Sequence, residues 1–516
     1  MSFSKNFIVY NKLVYDNMGE SSAESEIVLP DYYSNILRLI RTEAVPFIRS
    51  QSVYGDRLMA EGYVEFRIIY LGEDGTSLKS IFNQVPFSHS CEINGLSDNT
   101  ENKTPDIRIR AGVEYSDIRA LSPQKLHVKA TIGLSIKVFK PSILPILATE
   151  KEGDVADDVF VELQEKNVAY GKTTCTGKKP LRISDDIDIG NKPTIEQILR
   201  YDVSFIKNDQ KILNRKMIVK ADMVIKVLYI PAGNNIPQTF EQRCPISQII
   251  DLEGLDEDTT CNTGFEVSEF KLSAKENTSG EKKLLTYEAE INVSVIGYKL
   301  VESIAVTDAF STKKEVECIS KEVNIENFKT VNETVGFDET VEIGAYDTVY
   351  DFNISPYITN TAYDEKSKKV ITSGNFFCTA LFKDMSGDLC AIDKSVPFTV
   401  QTDPPAGCTS LRGELELAVI SMAFVPADST KLEFRLNCNY QGMLFYIENF
   451  NAITDIKYLN DKSFANRPEM ILYYGDKGEK IWDIAKKYSS NKSAIIKNNN
   501  LSEDILEEKT MIYITK

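Results

Sequence analysis

Two runs of alternating apolar and polar residues recur along the chain at a spacing of 159 residues. In the first, Val64, Phe66, Ile68 and Tyr70 match Met223, Ile225, Val227 and Tyr229. In the second, Leu126, Val128, Ala130, Ile132, Leu134 and Ile136 match Leu285, Tyr287, Ala289, Ile291, Val293 and Val295 without a gap. A period of two puts every apolar side chain on one face of a strand, so each run predicts a half-buried strand. Pro86 and Pro245 follow Tyr70 and Tyr229 at the same interval of 16 residues. A third copy fits with slightly shorter loops: Phe377 and Leu381 in its first strand, Pro397 after it, then Leu432, Phe434, Leu436, Cys438 and Tyr440. Self-similarity at a fixed spacing predicts a repeated structural unit.

A lead-in precedes the first two copies, Ile36-Leu37-Arg38 and Ile198-Leu199-Arg200, and the third lacks it. These landmarks put repeat cores at about 26–142, 184–300 and 338–446, each close to an ordinary domain in size. The domains are then 1–142, 143–300 and 301–446, each led by an N-terminal segment or linker, a tether over 447–469, and a terminal unit over 470–516. Strand runs broken by Gly, Pro and Asp turns predict antiparallel sheets packed as sandwiches, a mainly β multidomain chain. The linkers, such as 148–179 and 307–335, read as polar with some strand in them.

The pattern changes in the last 47 residues. Ile481, Ile484, Ala485 and Tyr488 stand at i, i+3, i+4 and i+7 and share one helical face. Asn491 is placed to cap a second helix over 492–498 with Ile495 and Ile496 on its buried side. Strand-like runs, 471–474 and 511–514, flank the pair, which predicts a small βααβ unit.

Composition narrows the function classes. At 516 residues the chain exceeds what one core sustains, in agreement with several domains. Its net charge is −17, with the terminal unit slightly positive, so the body repels phosphate backbones and anionic lipid as main partners. No apolar run of 18 residues occurs, and Met1–Glu20 lacks a continuous apolar stretch, so the expected location is the cytosol, without membrane insertion. Nine cysteines, an odd number with no Cys-x-x-Cys pair, read as reduced thiols.

The terminal unit resembles a LysM module, on the order Gly478, Ile481-Trp482, the Ile-Ala-Lys-Lys-Tyr run of 484–488, and Asn499-Asn500-Leu501. LysM modules usually bind N-acetylglucosamine polymers through the loops before the first helix and before the last strand. The resemblance therefore implies a peptidoglycan-binding alternative resting on Gly478, Glu479 and Lys480. The loop departs from the common Gly-Asp-Thr: Glu479 and Lys480 put a long charged stem where a small hydroxyl stands. Trp482 lies about 100° around the helix from Ile481, beside the apolar stripe, so a half-exposed interface anchor and simple packing on a neighbouring loop are both open. Ile471 and Lys480 are weaker partner-binding candidates, set against a core strand position and a solvated charge.

Chemistry-bearing residues are sparse. His89 and His127 are the only histidines, and His127 falls on the polar side of its strand. Two histidines without a cysteine cluster cannot build a common zinc site, so no metal or cofactor is expected. Gly171-Lys172-Thr173-Thr174 imitates the end of a phosphate-binding loop, but Lys166 stands where the first glycine is required. Asp185-Asp186 and the acids at 256–258 read as solvated turns, so no catalysis is expected.

The body is similar to the repeated spore-coat domains of clostridial spore proteins, on the paired strand runs and the Tyr-to-Pro intervals, 70 to 86 and 229 to 245. Three such repeats followed by a LysM module resemble the family of SpoIVA-interacting proteins. That resemblance implies a scaffold of coat assembly in the mother cell, engaging the morphogenetic ATPase SpoIVA and other coat proteins at the forespore surface through the LysM module, with self-association open.

Overall fold

The computed structural model describes residues 5–96, 105–147, 161–405, 410–463, 468–502 and 504–515. Strand accounts for 78% of it and helix for 3%, which makes the chain mainly β. The first repeat holds β1 (Lys5–Val28), β2 (Ile36–Tyr54), β3 (Arg57–Gly72), β4 (Leu78–Glu92), β5 (Asp106–Ser122) and β6 (Lys125–Leu147). The second holds β7 (Val161–Asp188), β8 (Ile195–Leu213), β9 (Lys216–Pro231), β10 (Gln238–Asp251), β11 (Thr260–Glu276) and β12 (Lys282–Ser311). The third holds β13 (Lys314–Glu342), β14 (Tyr346–Asp364), β15 (Lys369–Asp384), β16 (Leu389–Thr402), β17 (Leu411–Pro426) and β18 (Lys431–Asp461). Each forms two antiparallel three-stranded sheets of the same order: β1-β6-β5 over β2-β3-β4, β7-β12-β11 over β8-β9-β10, and β13-β18-β17 over β14-β15-β16.

The alternating runs form the central strands, the ones with a neighbour on both sides. Every residue of the second run, Leu126 to Ile136, Leu285 to Val295 and Leu432 to Tyr440, is buried in its own sandwich. The first run holds for repeats one and two. In the third, the sequence match is one residue out of step: Asn375 faces Pro397 as Tyr63 faces Pro86, so the core set is Phe376, Cys378, Ala380 and Phe382. Phe377 points outward, because a one-residue slip moves a strand's whole apolar set to the other face.

Pairing also corrects the lead-in. Leu39 faces Tyr70 and Ile198 faces Tyr229, so the counterpart of Ile198-Leu199-Arg200 is Leu39-Ile40-Arg41 rather than Ile36-Leu37-Arg38. The third repeat has the element too, as Val349-Tyr350-Asp351, with Val349 facing Phe382. An acid there replaces the arginine of the other two.

The segments read as linkers and tether are largely strand. Residues 161–183 extend β7, 314–337 extend β13 and 447–461 complete β18. The N-terminal segment is β1, which pairs with β6 along its length. Beyond the pairs Asp106/Phe139, Thr260/Tyr298 and Leu411/Tyr446, each central strand keeps one neighbour among the described residues and runs on as a two-stranded ribbon. The three ribbons pack on one another into a stalk, burying Ile8, Leu144, Val168, Ala305, Ile325 and Ala452 together. Polar residues dominate these strands outside the contact, which hides their periodicity.

The repeats close on each other in a ring: β4 meets β8, β10 meets β14 and β16 meets β2. At the junction lies an apolar cluster of equivalent residues, Ile69, Leu228 and Leu381, with Leu78, Leu199 and Ile230. Beside it sits a buried ionic network. Arg67 donates to the Tyr201 carbonyl (2.8 Å) and to Glu65 (2.8 Å), which also accepts from the Tyr201 hydroxyl (2.6 Å). Arg200 pairs with Asp202 and donates to Asp351 (3.0 Å), and Lys226 Nζ lies 3.2 Å from the same carboxylate. A second joint at the base of the stalk joins Arg108 to Asp106, Glu414 and Tyr298, and Arg412 to Glu414 and Glu326, around the equivalent aromatics Phe139, Tyr298 and Phe445.

Candidate partner-binding surface

The terminal residues fold as β19 (Met470–Gly475), α1 (Ile481–Tyr488), α2 (Lys492–Asn498) and β20 (Thr510–Thr515), with β19 and β20 antiparallel. Asn491 caps α2 as its position predicts, accepting from the Ala494 amide at 2.8 Å. Ile481, Ile484, Ala485, Ile495, Ile512 and Ile514 form the core between helices and sheet. Two glycines shape the first loop: Gly478 has φ of +91°, and a Cβ on Gly475 would sit 2.4 Å from Leu506 Cδ1.

The loop does not leave its backbone open. The Gly478 amide donates to the Leu506 carbonyl (2.8 Å), the Leu506 amide to Glu479 (2.9 Å) and the Ile481 amide to Asp504 (2.9 Å), so the loops before α1 and before β20 are stitched together. Glu479 turns back, its carboxylate accepting from the Tyr473 hydroxyl (3.0 Å) and the Asp476 amide (3.2 Å). Lys480 is exposed just ahead of α1. Ile471 packs partly buried on the inner face of the sheet.

Trp482 is not half exposed; it is 4% exposed. Its ring meets Phe310, at the end of β12, edge to face with centroids 5.0 Å apart. Its Nε1–H donates to Asp308 Oδ2 at 2.8 Å, and Lys486 Nζ lies 2.7 Å from both oxygens of that carboxylate. Asn491 donates to Glu162 on β7, and Lys462 donates to Ser489 Oγ (2.7 Å) and the Ser311 carbonyl (2.8 Å). The sequence offered no signal for this contact, because Phe310 is 172 residues away in a segment read as linker. The helical side of the unit is thus docked on the second repeat's ribbon.

The opposite side is free of such contacts among the described residues. Met470, Leu472 and Tyr474 alternate along β19 on its outer face, 58%, 53% and 65% exposed, and Met511 and Tyr513 pair beside them from β20. The strand period that buries Ile471 and Tyr473 necessarily turns these five outward. The alternation of 470–474 carried this signal in the sequence, where only the inward residue Ile471 was singled out.

Elsewhere the other candidates have settled positions. His127 is half-buried with Nε2 3.7 Å from Glu24, and His89 Nδ1 lies 3.1 Å from the Glu20 carbonyl. Gly171-Lys172-Thr173-Thr174 lies inside strand β7, not in a phosphate-cradling loop. Eight cysteines are free, and Cys408 lies outside the described residues. Among the described residues, no group of three or more His, Cys, Asp or Glu is placed to hold a metal, and no helix is long and apolar enough to cross a membrane.

Against this geometry, a family model described as the SipL SPOCS domain matches residues 35–121 and 194–275. Each of the first two repeats thus carries a match to the SPOCS domain of SipL, and the chain is similar to SipL-type spore-coat proteins in having that domain repeated. Both matches run from the second to the fifth strand of their repeats, β2–β5 and β8–β11, which places the SPOCS pattern inside the sandwich and leaves the stalk strands outside it. No curated protein and no solved structure matches the chain.

Proposed function

We propose that this chain is a non-enzymatic scaffold of coat assembly whose terminal module, of LysM type, holds the coat-basement ATPase SpoIVA. The ring of SPOCS-type repeats serves as its stand at the forespore surface, reached from the mother-cell side. The observation that supports this reading is the outward apolar face of Met470, Leu472, Tyr474, Met511 and Tyr513 on a module otherwise docked to the body. Covering one such large side chain is worth about 1.5–3 kcal/mol, which a protein surface supplies and a hydroxyl-rich polymer supplies poorly. Lys480, exposed on the same module, adds a charged contact, while Ile471 acts from beneath the sheet.

The test is recovery of the ATPase with the tagged full chain, with a chain lacking residues 470–516, and with Leu472→Glu. Recovery is expected to be lost with the deletion and to fall about tenfold or more with Leu472→Glu. Equal recovery from all three overturns the reading. Retention of the full chain on washed peptidoglycan, sensitive to Glu479 and Lys480, would favour the glycan alternative instead.

A further inference from the structure

Trp482 is the single tryptophan of the chain, and the structure spends it inside the molecule. Its ring, its N–H and the neighbouring Lys486 all converge on Asp308 and Phe310, which belong to the ribbon of the second repeat. Phe310 is itself buried by this contact and counts among the apolar core of the terminal module. A carboxylate accepting from an indole N–H and an ammonium at once is a charge-assisted joint, stronger and more directional than apolar contact alone. Asn491 with Glu162 on β7, and Ser489 with Lys462 just past β18, hold the turn between α1 and α2 to the ends of the second and third ribbons. With these contacts made, the face of β19 and β20 that carries Met470, Leu472, Tyr474, Met511 and Tyr513 is exposed.

We propose that Trp482, Asp308 and Phe310 form a latch that fixes the terminal module to the tip of the stalk, making Asp308 and Phe310 positioning residues for the partner contact. The latch itself stands on the geometry above; its role in positioning rests on the reading of the module as the partner-binding element. Trp482 then acts through the body and not by touching the partner, and residues far outside the module become determinants of binding. A latched module meets its partner in one pose, so less orientational freedom is lost on binding.

The single tryptophan makes the latch directly readable in the full chain. Asp308→Ala, and separately the milder Asp308→Asn, are compared with Leu472→Glu by tryptophan emission, by acrylamide quenching, by circular dichroism and by recovery of the ATPase. Loss of the charged acceptor is expected to lower the docked fraction relative to the undocked by about tenfold. Asp308→Ala should therefore red-shift the emission, raise quenching and lower recovery, with strand content unchanged. Asp308→Asn, which keeps an acceptor for the indole N–H, should give a smaller shift in the same direction. Leu472→Glu should lower recovery and leave the emission where it was. Unchanged emission in Asp308→Ala overturns the latch, and a red shift with full recovery overturns the positioning role. Full recovery with both Leu472→Glu and the 470–516 deletion sinks the partner reading while a red shift in Asp308→Ala upholds the latch. Should Asp308→Ala lose strand content, Phe310→Leu replaces it with the same criteria.

Discussion

The interiors of the three sandwiches and the axis on which they meet are built from opposite materials. Each interior is an apolar layer contributed by alternate residues of a central strand, as in Phe66, Ile68 and Tyr70 or Phe434, Leu436 and Tyr440. The axis carries Arg67, Glu65, Arg200, Asp202, Lys226 and Asp351, several of them nearly inaccessible to solvent. Apolar layers are interchangeable, since any of the three would cover any other. A buried charge tolerates only its complement, so the axis selects which repeat sits beside which. Asp351 shows this most clearly, an acid in the third repeat where Arg41 and Arg200 stand in the others. The junctions are unequal as well. Arg67 reaches from the first repeat to the second and Lys226 from the second to the third, while Thr379 holds the matching place in the third repeat, its hydroxyl buried without a hydrogen-bond partner among the described residues.

The most severe way to break the contrast is Asp351→Arg, which adds a guanidinium beside Arg67 and Arg200 and removes the carboxylate that Arg200 and Lys226 share. A loss of about 5 kcal/mol is expected, at the upper end for a broken buried pair, read by denaturant unfolding. The double variant Arg200→Asp with Asp351→Arg should recover part of it, and failure to recover would mean that position, not charge, decides the junction. Phe434→Ala addresses the other material and should cost about 3–5 kcal/mol, with no charge-reversed partner able to rescue it.

Acid offers a finer probe of the two buried ionic joints, at the axis and at the base of the stalk. Burial opposes ionisation of Asp202, but Arg200 and Arg67 outweigh it and hold the carboxyl below its usual range. Burial likewise opposes Glu414, and Arg108 and Arg412 prevail. Their stabilisation is therefore present above the ordinary carboxylate range near pH 4 and is lost as pH falls through the lower folded values. Separation of the repeats, followed by X-ray scattering, should set in below about pH 4 while strand content by circular dichroism persists. The smallest effect is expected for Ser80→Ala, which removes the 2.6 Å hydrogen bond to the Ile198 carbonyl between the first and second repeats, at about 1 kcal/mol in thermal unfolding.

What could be read in advance follows the same division. Leu126 to Ile136 announced its strand because each side chain obeys one local rule, inward or outward. The βααβ module was legible for the same reason, from Ile481, Ile484 and Ala485 at helical spacing. The stalk was not, because its ribbons bury only scattered residues such as Val168 and Ile325 among polar neighbours. Phe377, placed by the sequence in the first strand of the third copy, points outward, since an apolar side chain one step out of register looks the same in a sequence. The candidate surface divides similarly: the residues of β19 were in view, but which of them faced outward waited on the helices above them.

By itself, then, the sequence determined the local periods, and with them the strands, the two helices and the threefold repetition, because backbone geometry converts a two- or 3.6-residue spacing into a face. Only the tertiary structure decided what each face meets. Trp482 is the measure of that difference: its spacing left it beside the stripe of its helix, and a phenylalanine and an aspartate from the second repeat, brought there by the stalk, closed over it. A contact between residues so distant in sequence leaves no periodic trace in either segment, and it exists only once the second repeat's ribbon and the terminal module have both folded.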